Sequence, residues 1–133
     1  MVIMEKAAEI LVVDDEPAVA LAIKAALKFC GFAVVGVPNG EAALEQLRAD
    51  LGRFPVVLSD HNMPGLGGLG FVQALRELGY PGGIVILSAF LSGEIESRYQ
   101  ALGVDQILSK PFDLRRLRGA IESLLEAQAQ NAA

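Results

Sequence analysis

The sequence contains no tryptophan, one cysteine (Cys30) and one histidine (His61) among 133 residues. A lone thiol excludes an internal disulfide framework, and without a cluster of His or Cys there is no zinc-type ligand set. Positive charge is scarce as well. Eleven Lys and Arg stand against 16 Asp and Glu, for a net charge of −5, which argues against nucleic acid as a direct partner because duplex binding draws mostly on Lys and Arg paired with phosphates. No apolar run approaches the roughly 20 residues of a membrane span or reads as a secretory segment. The expectation is therefore a soluble, cytoplasmic protein with no membrane partner. A chain of this length can bury about two thirds of its unfolded surface without disulfides or structural metal. Residues 1–133 are thus expected to form one domain, with an ordered core over about 9–127 between a frayed entry (Met1 to Ala8) and a helix tail (Ala127 to Ala133). Cys30 closes the helical run Ala25 to Cys30 and is expected to be a buried or half-buried thiol without a function.

What the sequence does have is five short apolar runs rich in Val and Ile: Glu9 to Val13, Phe32 to Val37, Phe54 to Ser59, Gly83 to Leu87 and Val104 to Leu108. They do not alternate, which is how strands covered on both faces of a parallel sheet read. Helical spacing fills the gaps. Val19, Ile23, Ala26 and Leu27 mark the first helix, Ala43, Leu44 and Leu47 the second, and Phe71, Val72 and Leu75 the third. The fourth, Ser92 to Leu102, is weaker and more polar. The fifth, Asp113 to Gln128, carries Leu114, Leu117, Ile121, Leu124 and Leu125 on one stripe. Gly31, Gly79 and Gly103 mark helix stops, and Asn39 and Asp113 mark starts. Strict alternation of strand and helix, five times over, predicts a doubly wound α/β sandwich with right-handed crossovers.

In such folds ligands gather at the carboxyl ends of the strands. Asp14, Asp15 and Glu16 follow the first strand, with Pro17 opening the next helix. Asp60 follows the third, Ser88 the fourth, and Ser109, Lys110 and Pro111 the fifth. Three aspartates, a hydroxyl and an ammonium would converge on one rim. Adjacent carboxylates repel unless a cation neutralises them, and ligands that are all oxygen suit Mg²⁺. A carboxylate beside that cation can attack phosphorus, while Lys110 and Ser88 offer a charge and a hydrogen bond to the transferred oxygens. The bland alternative, in which Asp15 or its neighbour merely caps a helix, explains one residue but not the set.

With these residues in view, the chain resembles the receiver domain of two-component response regulators. The resemblance runs from Ile10 to about Leu125. It rests on Leu11-Val12-Val13-Asp14-Asp15-Glu16-Pro17, Ser59-Asp60-His61-Asn62-Met63-Pro64-Gly65, Ile86-Leu87-Ser88-Ala89 and Leu108-Ser109-Lys110-Pro111-Phe112. It implies a flavodoxin-like (βα)5 three-layer sandwich whose five-stranded parallel sheet has the order 2-1-3-4-5. It further implies that Asp60 accepts a phosphoryl group from a histidine kinase or histidine phosphotransfer protein. Mg²⁺ would be bound by Asp14, Asp15, Asp60 and the backbone carbonyl of Asn62, and Lys110 and Ser88 would hold the phosphoryl oxygens. A cis Lys110-Pro111 peptide would aim the ammonium inward. A downstream effector protein or domain would read the phosphorylated state, and a homodimer through the face of the fourth helix, fifth strand and fifth helix is a further implied arrangement. The chain departs from the family at Ile107, where an aromatic residue that swings inward usually stands.

Two rivals compete with this switch, which would be no enzyme beyond promoting its own phosphorylation and dephosphorylation. A small aspartyl-phosphate phosphatase or phosphotransferase of similar fold would need a second acid, commonly two residues after the nucleophile, and that position is Asn62. A flavodoxin-like cofactor protein would want aromatics at the strand ends, where only Phe90 and Phe112 stand. The stretch Gly65-Leu66-Gly67-Gly68-Leu69-Gly70 matches a dinucleotide-binding spacing, but 14 glycines in 133 residues produce roughly 0.15 such matches by accident. It also follows the wrong strand, so the glycines are read as the turn from Asp60 into the third helix. His61 should point away from Asp60 by strand alternation; simple exposure is the leading expectation, ahead of a tuning role at the pocket rim and of a metal role. Arg115, Arg116 and Arg118 read as a solvated face, with partner docking as the alternative.

Overall fold

The computed structural model of the protein describes residues 7–131. Most of the expected frayed entry and the last two residues of the expected tail lie outside that range. The described elements alternate as the periodicity predicts. They are β1 (Glu9–Val13), α1 (Pro17–Phe29), β2 (Ala33–Val37), α2 (Gly40–Ala49), β3 (Val56–Asp60), α3 (Gly67–Leu78), β4 (Gly83–Ser88), α4 (Gly93–Ala101), β5 (Gln106–Ser109) and α5 (Leu114–Asn131). All strand pairs are parallel, in the order β2-β1-β3-β4-β5.

Local chemistry sets the ends of the helices. Pro17 opens α1 at a position where a missing N–H costs nothing. The Asn39 side chain accepts from the Ala42 N–H at 2.8 Å, and the Asp113 carboxylate from the Arg116 N–H at 2.8 Å, so both expected caps are in place. Gly79 closes α3 at φ +81°, a left-handed conformation that favours glycine.

Side-chain alternation along the strands builds two cores. Leu11, Val13, Val57, Ile84 and Ile86 face α2, α3 and α4, meeting Ala43, Leu44, Leu47, Phe71, Val72, Leu75 and Tyr99. Ile10, Val12, Val56, Leu58, Val85, Leu87 and Leu108 face α1 and α5, meeting Ile23, Leu27, Leu117, Ala120 and Ile121. The same parity sorts the polar residues at the strand ends. Asp14, Asp60 and Lys110 continue the positions that face α1 and α5, whereas Ser88 and His61 continue those that face α3 and α4.

Three expectations need correction. The outer strands are not covered on both faces: every residue of β2 is half-buried or exposed, because an edge strand has a neighbour on one side only. β5 begins at Gln106 rather than Val104. Its predecessor Asp105 exchanges contacts with Ile84, the carboxylate accepting the Ile84 N–H at 2.8 Å and the Asp105 N–H donating to the Ile84 carbonyl at 3.0 Å, so a side chain takes over part of the ladder. Of the glycine-rich stretch, Gly65 lies in the turn at φ +79°, but Gly67, Gly68 and Gly70 belong to the first turn of α3.

Candidate functional site

Register brings the acids together. Val13 pairs with Ser59 across the β1–β3 ladder, so the next residues, Asp14 and Asp60, stand level at the carboxyl edge of the sheet. Asp60 is the last residue of β3 and Ser88 the last of β4, one position inside the strand ends anticipated from sequence. Asp14, Asp15 and Asp60 each place a carboxylate oxygen within 4.8 Å of the other two. Asp14 and Asp60 are buried, at 4% and 3% exposure, while Asp15 faces solvent.

Burial of the Asp14 carboxylate is only partly compensated. One Asp14 oxygen, Oδ1, accepts the Glu16 N–H at 2.9 Å; the other, Oδ2, is buried with no hydrogen-bond partner. Buried polar atoms without a partner are rare. The Asp14 carboxyl is pushed above its ordinary range, first by burial and then by the Asp60 charge, and the Glu16 N–H and Lys110 pull it back only in part. One unpartnered carboxylate oxygen among three crowded carboxylates is a donor set that fits a hard divalent cation.

Lys110 supplies the one cation among the described residues that is paired with Asp60. Its Nζ lies 3.2 Å from Asp60 Oδ1, with the Lys110 side chain about a quarter exposed. The Lys110-Pro111 peptide is cis, as expected, and the Lys110 N–H donates to the Ser88 carbonyl at 2.7 Å, which fixes the β5 end against β4. Sequence reasoning therefore placed Asp14, Asp15, Asp60 and Lys110 on one rim correctly. Ser88 is different. Its hydroxyl is buried but donates to the Phe90 carbonyl at 3.1 Å, on the α3/α4 side of the sheet, so it has to turn to meet a group bound at Asp60. Asn62 follows in the exposed loop between β3 and α3.

His61 is the clearest revision. It is half-buried rather than exposed, and its Nδ1 lies 2.5 Å from the hydroxyl of Tyr99 on α4. The alternation argument did give its direction, since Asp60 turns to Lys110 and His61 to α4. Tyr99 itself was missed; a lone aromatic in a largely polar helix is the signal that could have marked it. Cys30 is half-buried. Arg115, Arg116 and Arg118 are exposed, and Arg118 pairs with Glu122 at 2.7 Å within α5, consistent with a solvated face. No helix among the described residues is long and apolar enough to cross a membrane.

The chain is similar to known proteins along nearly its whole described length. The family model for the response regulator receiver domain matches residues 10–122. A probable chemotaxis protein CheY of Rhizobium etli is 32% identical over 122 residues, covering 90% of this chain and 93% of that protein. The transcriptional regulatory protein PrrA of Mycobacterium tuberculosis is 34% identical over 125 residues, and here the match covers 92% of this chain but only 52% of the relative. Among solved structures, the chemotaxis protein CheY4 of Vibrio cholerae superposes with a TM-score of 0.82 at 29% identity, covering 90% of this chain and 99% of that one. Sheet order, the acid cluster opposite a lysine on a cis peptide, and a match spanning nearly all of the described residues agree: the chain belongs to the response regulator receiver domain family of two-component signalling.

Proposed function

We propose that the protein is a phosphorylation-controlled switch in which Asp60 is the phosphoacceptor. The observation that carries this is the environment of Asp60: a buried carboxylate 3.2 Å from the Lys110 ammonium and close to the Asp14 carboxylate, one of whose oxygens has no partner. An Asp60 oxygen attacks the phosphorus of a phosphohistidine. The new O–P bond forms as the P–N bond breaks, and the electron pair of the broken bond leaves with the donor imidazole, which departs neutral when its other nitrogen carries a proton. Lys110, already held against Asp60, neutralises charge on the transferred oxygens. Ser88 contributes a hydrogen bond to them once its hydroxyl leaves the Phe90 carbonyl.

Asp14, Asp15, Asp60 and the Asn62 backbone carbonyl would hold Mg²⁺. When bound, Mg²⁺ would supply positive charge that offsets the crowded carboxylates and the transferred group. The donor is a histidine kinase or a histidine phosphotransfer protein, and the output is binding to an effector protein or domain. Residues 1–133 act as one receiver unit, in the cytoplasm, where a single unpaired cysteine is the rule rather than the exception; self-association through the α4-β5-α5 face is the dimer arrangement this reading allows. The protein catalyses nothing beyond its own phosphorylation and dephosphorylation. Asn62, whose amide donates hydrogen bonds but is no acid, stands at the position where a phosphatase of this kind keeps its general acid.

Incubation with acetyl phosphate and Mg²⁺ followed by intact mass measurement tests the assignment. One phosphoryl adduct is expected in the wild type, lost on removal of Mg²⁺ and in Asp60→Asn. An adduct that persists in Asp60→Asn refutes it.

A further inference from the structure

One side chain of α4 is fully buried, while Arg76 of α3 holds the carbonyls of Leu102 and Gly103 at the C-terminal end of α4. Among its nine residues only Tyr99 is buried, with no exposed surface; Ile95 is half-buried against the same core and the others face solvent. The Tyr99 hydroxyl meets His61 Nδ1 at 2.5 Å, and the two rings stand edge to face with centroids 5.5 Å apart. His61 directly follows Asp60. Its backbone is fixed on both sides, the N–H donating to the Leu87 carbonyl and the carbonyl accepting from the Gly68 N–H, each at 3.0 Å. Gly68 leaves the room this contact needs, because a Cβ there would lie against the Tyr99 hydroxyl and 2.9 Å from the His61 Cα. A ring from α4, a ring from the loop after β3 and an absent side chain on α3 therefore meet one residue away from Asp60.

A buried hydroxyl holds on to its partner, because losing it leaves a desolvated polar group unsatisfied. If phosphorylation shifts the β3 end together with the His61 backbone held to it, Tyr99 either follows and carries α4 with it, or the bond breaks. Following is the easier course, since little else buries α4 and sparsely packed elements are the ones that shift. The two groups are also electrostatically close: after burial itself, the Asp60 charge raises the Tyr99 hydroxyl above its ordinary range.

We propose that Tyr99, acting through its hydrogen bond to His61, is a positioning residue that couples α4 to the phosphoacceptor end of β3, so that phosphorylation of Asp60 relocates α4. The proposal rests on Asp60 being the acceptor. Its consequence is that the response of α4 depends on a hydroxyl that takes no part in binding the cation or the phosphoryl group.

The test is hydrogen exchange on the full chain, with and without Mg²⁺ and beryllofluoride as a phosphoryl mimic, in the wild type, Tyr99→Phe, His61→Leu and His61→Gln. Fluorine NMR of the bound mimic reports occupancy independently. In the wild type the mimic is expected to change exchange of residues 93–101 by about fivefold, the low end of ordinary coupling, and by less than about twofold in Tyr99→Phe and His61→Leu at equal occupancy. His61→Gln retains a group able to bond the hydroxyl and should recover part of the response. A merely structural Tyr99 would alter exchange equally with and without the mimic; an unchanged ratio in Tyr99→Phe overturns the proposal. So does a His61→Gln response no larger than that of His61→Leu. If Tyr99→Phe folds poorly, the two variants at the half-buried position 61 decide. Failure of the wild type to bind the mimic would instead refute Asp60 as acceptor, and the coupling with it.

Discussion

Replacing Asp14 with asparagine removes one negative charge from the most crowded part of the molecule and changes almost nothing else. Asparagine keeps the side-chain oxygen that accepts the Glu16 N–H at 2.9 Å. Its amide nitrogen takes the place of the unpartnered Oδ2 and offers protons to the neighbouring carboxylates. Two unit charges at the 4.8 Å bound on the Asp14–Asp60 oxygen separation repel by about 3.5 kcal/mol at an effective dielectric of about 20. Lys110 offsets part of this, so a net gain of about 1 kcal/mol in the cation-free protein is the expected outcome, or roughly 3 to 5 °C in Tm for a domain of this size. With Mg²⁺ the sign reverses. At a concentration 100 times its dissociation constant a ligand stabilises by about 2.7 kcal/mol, and a variant that binds 100-fold more weakly gains only about 0.4 kcal/mol at the same concentration. Thermal unfolding with EDTA and with Mg²⁺ measures both arms. The pH dependence provides a third. Because the folded Asp14 carboxyl lies above its unfolded value of 3.8, the protonated form favours folding; its contribution is fully present below the unfolded value and is lost as pH rises through the folded one. Cation-free wild type should therefore lose stability over that window relative to Asp14→Asn. A lower Tm for Asp14→Asn in EDTA, with an undiminished response to Mg²⁺, would refute the metal-site reasoning and make Asp14 a helix cap.

Other changes probe the remaining contacts. Lys110→Met leaves the buried Asp60 carboxylate without its ammonium; because Lys110 is partly exposed, the expected cost is about 1 to 2 kcal/mol rather than the 3 to 5 of a fully buried pair, read by denaturant unfolding, and acetyl phosphate should label the protein far more slowly. Gly68→Ala drives a methyl group toward the Tyr99 hydroxyl and the His61 backbone, and about 1 to 3 kcal/mol of overpacking is expected; a neutral result would show that α4 yields without resistance. Tyr80→Phe removes a buried hydroxyl that donates to the Phe54 carbonyl at 2.7 Å and should cost about 1 kcal/mol while leaving phosphorylation unchanged.

The placement of the site residues was legible because it depends on residue type and on alternation. Val12-Val13-Asp14-Asp15 and Leu58-Ser59-Asp60 each show a buried strand ending in an acid, and parallel register then leaves those acids no choice but to be neighbours. The cis bond at Lys110-Pro111 was open to inference only through resemblance. What the sequence concealed was tertiary. Val104 belongs to an apolar run that reads as strand, yet its N–H bonds the Tyr99 carbonyl at the end of α4 and the ladder starts two residues later. Nothing local says that the His61 ring will be covered by Tyr99, 38 residues on. Nor does Ser88, read as a strand-end hydroxyl, announce that it is committed to the Phe90 carbonyl.

Those concealed contacts bear on how a signal leaves the site. Ile107, half-buried against the α3/α4 core, is β-branched and has no ring to swing. Beside it lies a cavity of about 190 Å³ lined by Ser88, Ala89, Phe90, Leu91, Glu96, Ile107 and Ser109, with the Phe90 ring 82% exposed at its mouth. Two bonds near this space connect with the phosphoacceptor: Ser88 to the Phe90 carbonyl, which a phosphoryl oxygen would compete for, and Tyr99 to His61, which follows the β3 end. Both terminate on the segment from Ala89 to Ala101. Movement should therefore concentrate in the β4–α4 loop and α4 and leave β5 nearly still, because the Lys110 N–H remains tied to the Ser88 carbonyl whichever way the hydroxyl turns. A free-energy coupling of about 1 kcal/mol, the low end of the usual range, fits a response built on exchanging single hydrogen bonds. Chemical shifts with and without beryllofluoride decide the matter, and large changes centred on Ile107 with a quiet segment from Ala89 to Leu102 would show that the signal takes another path.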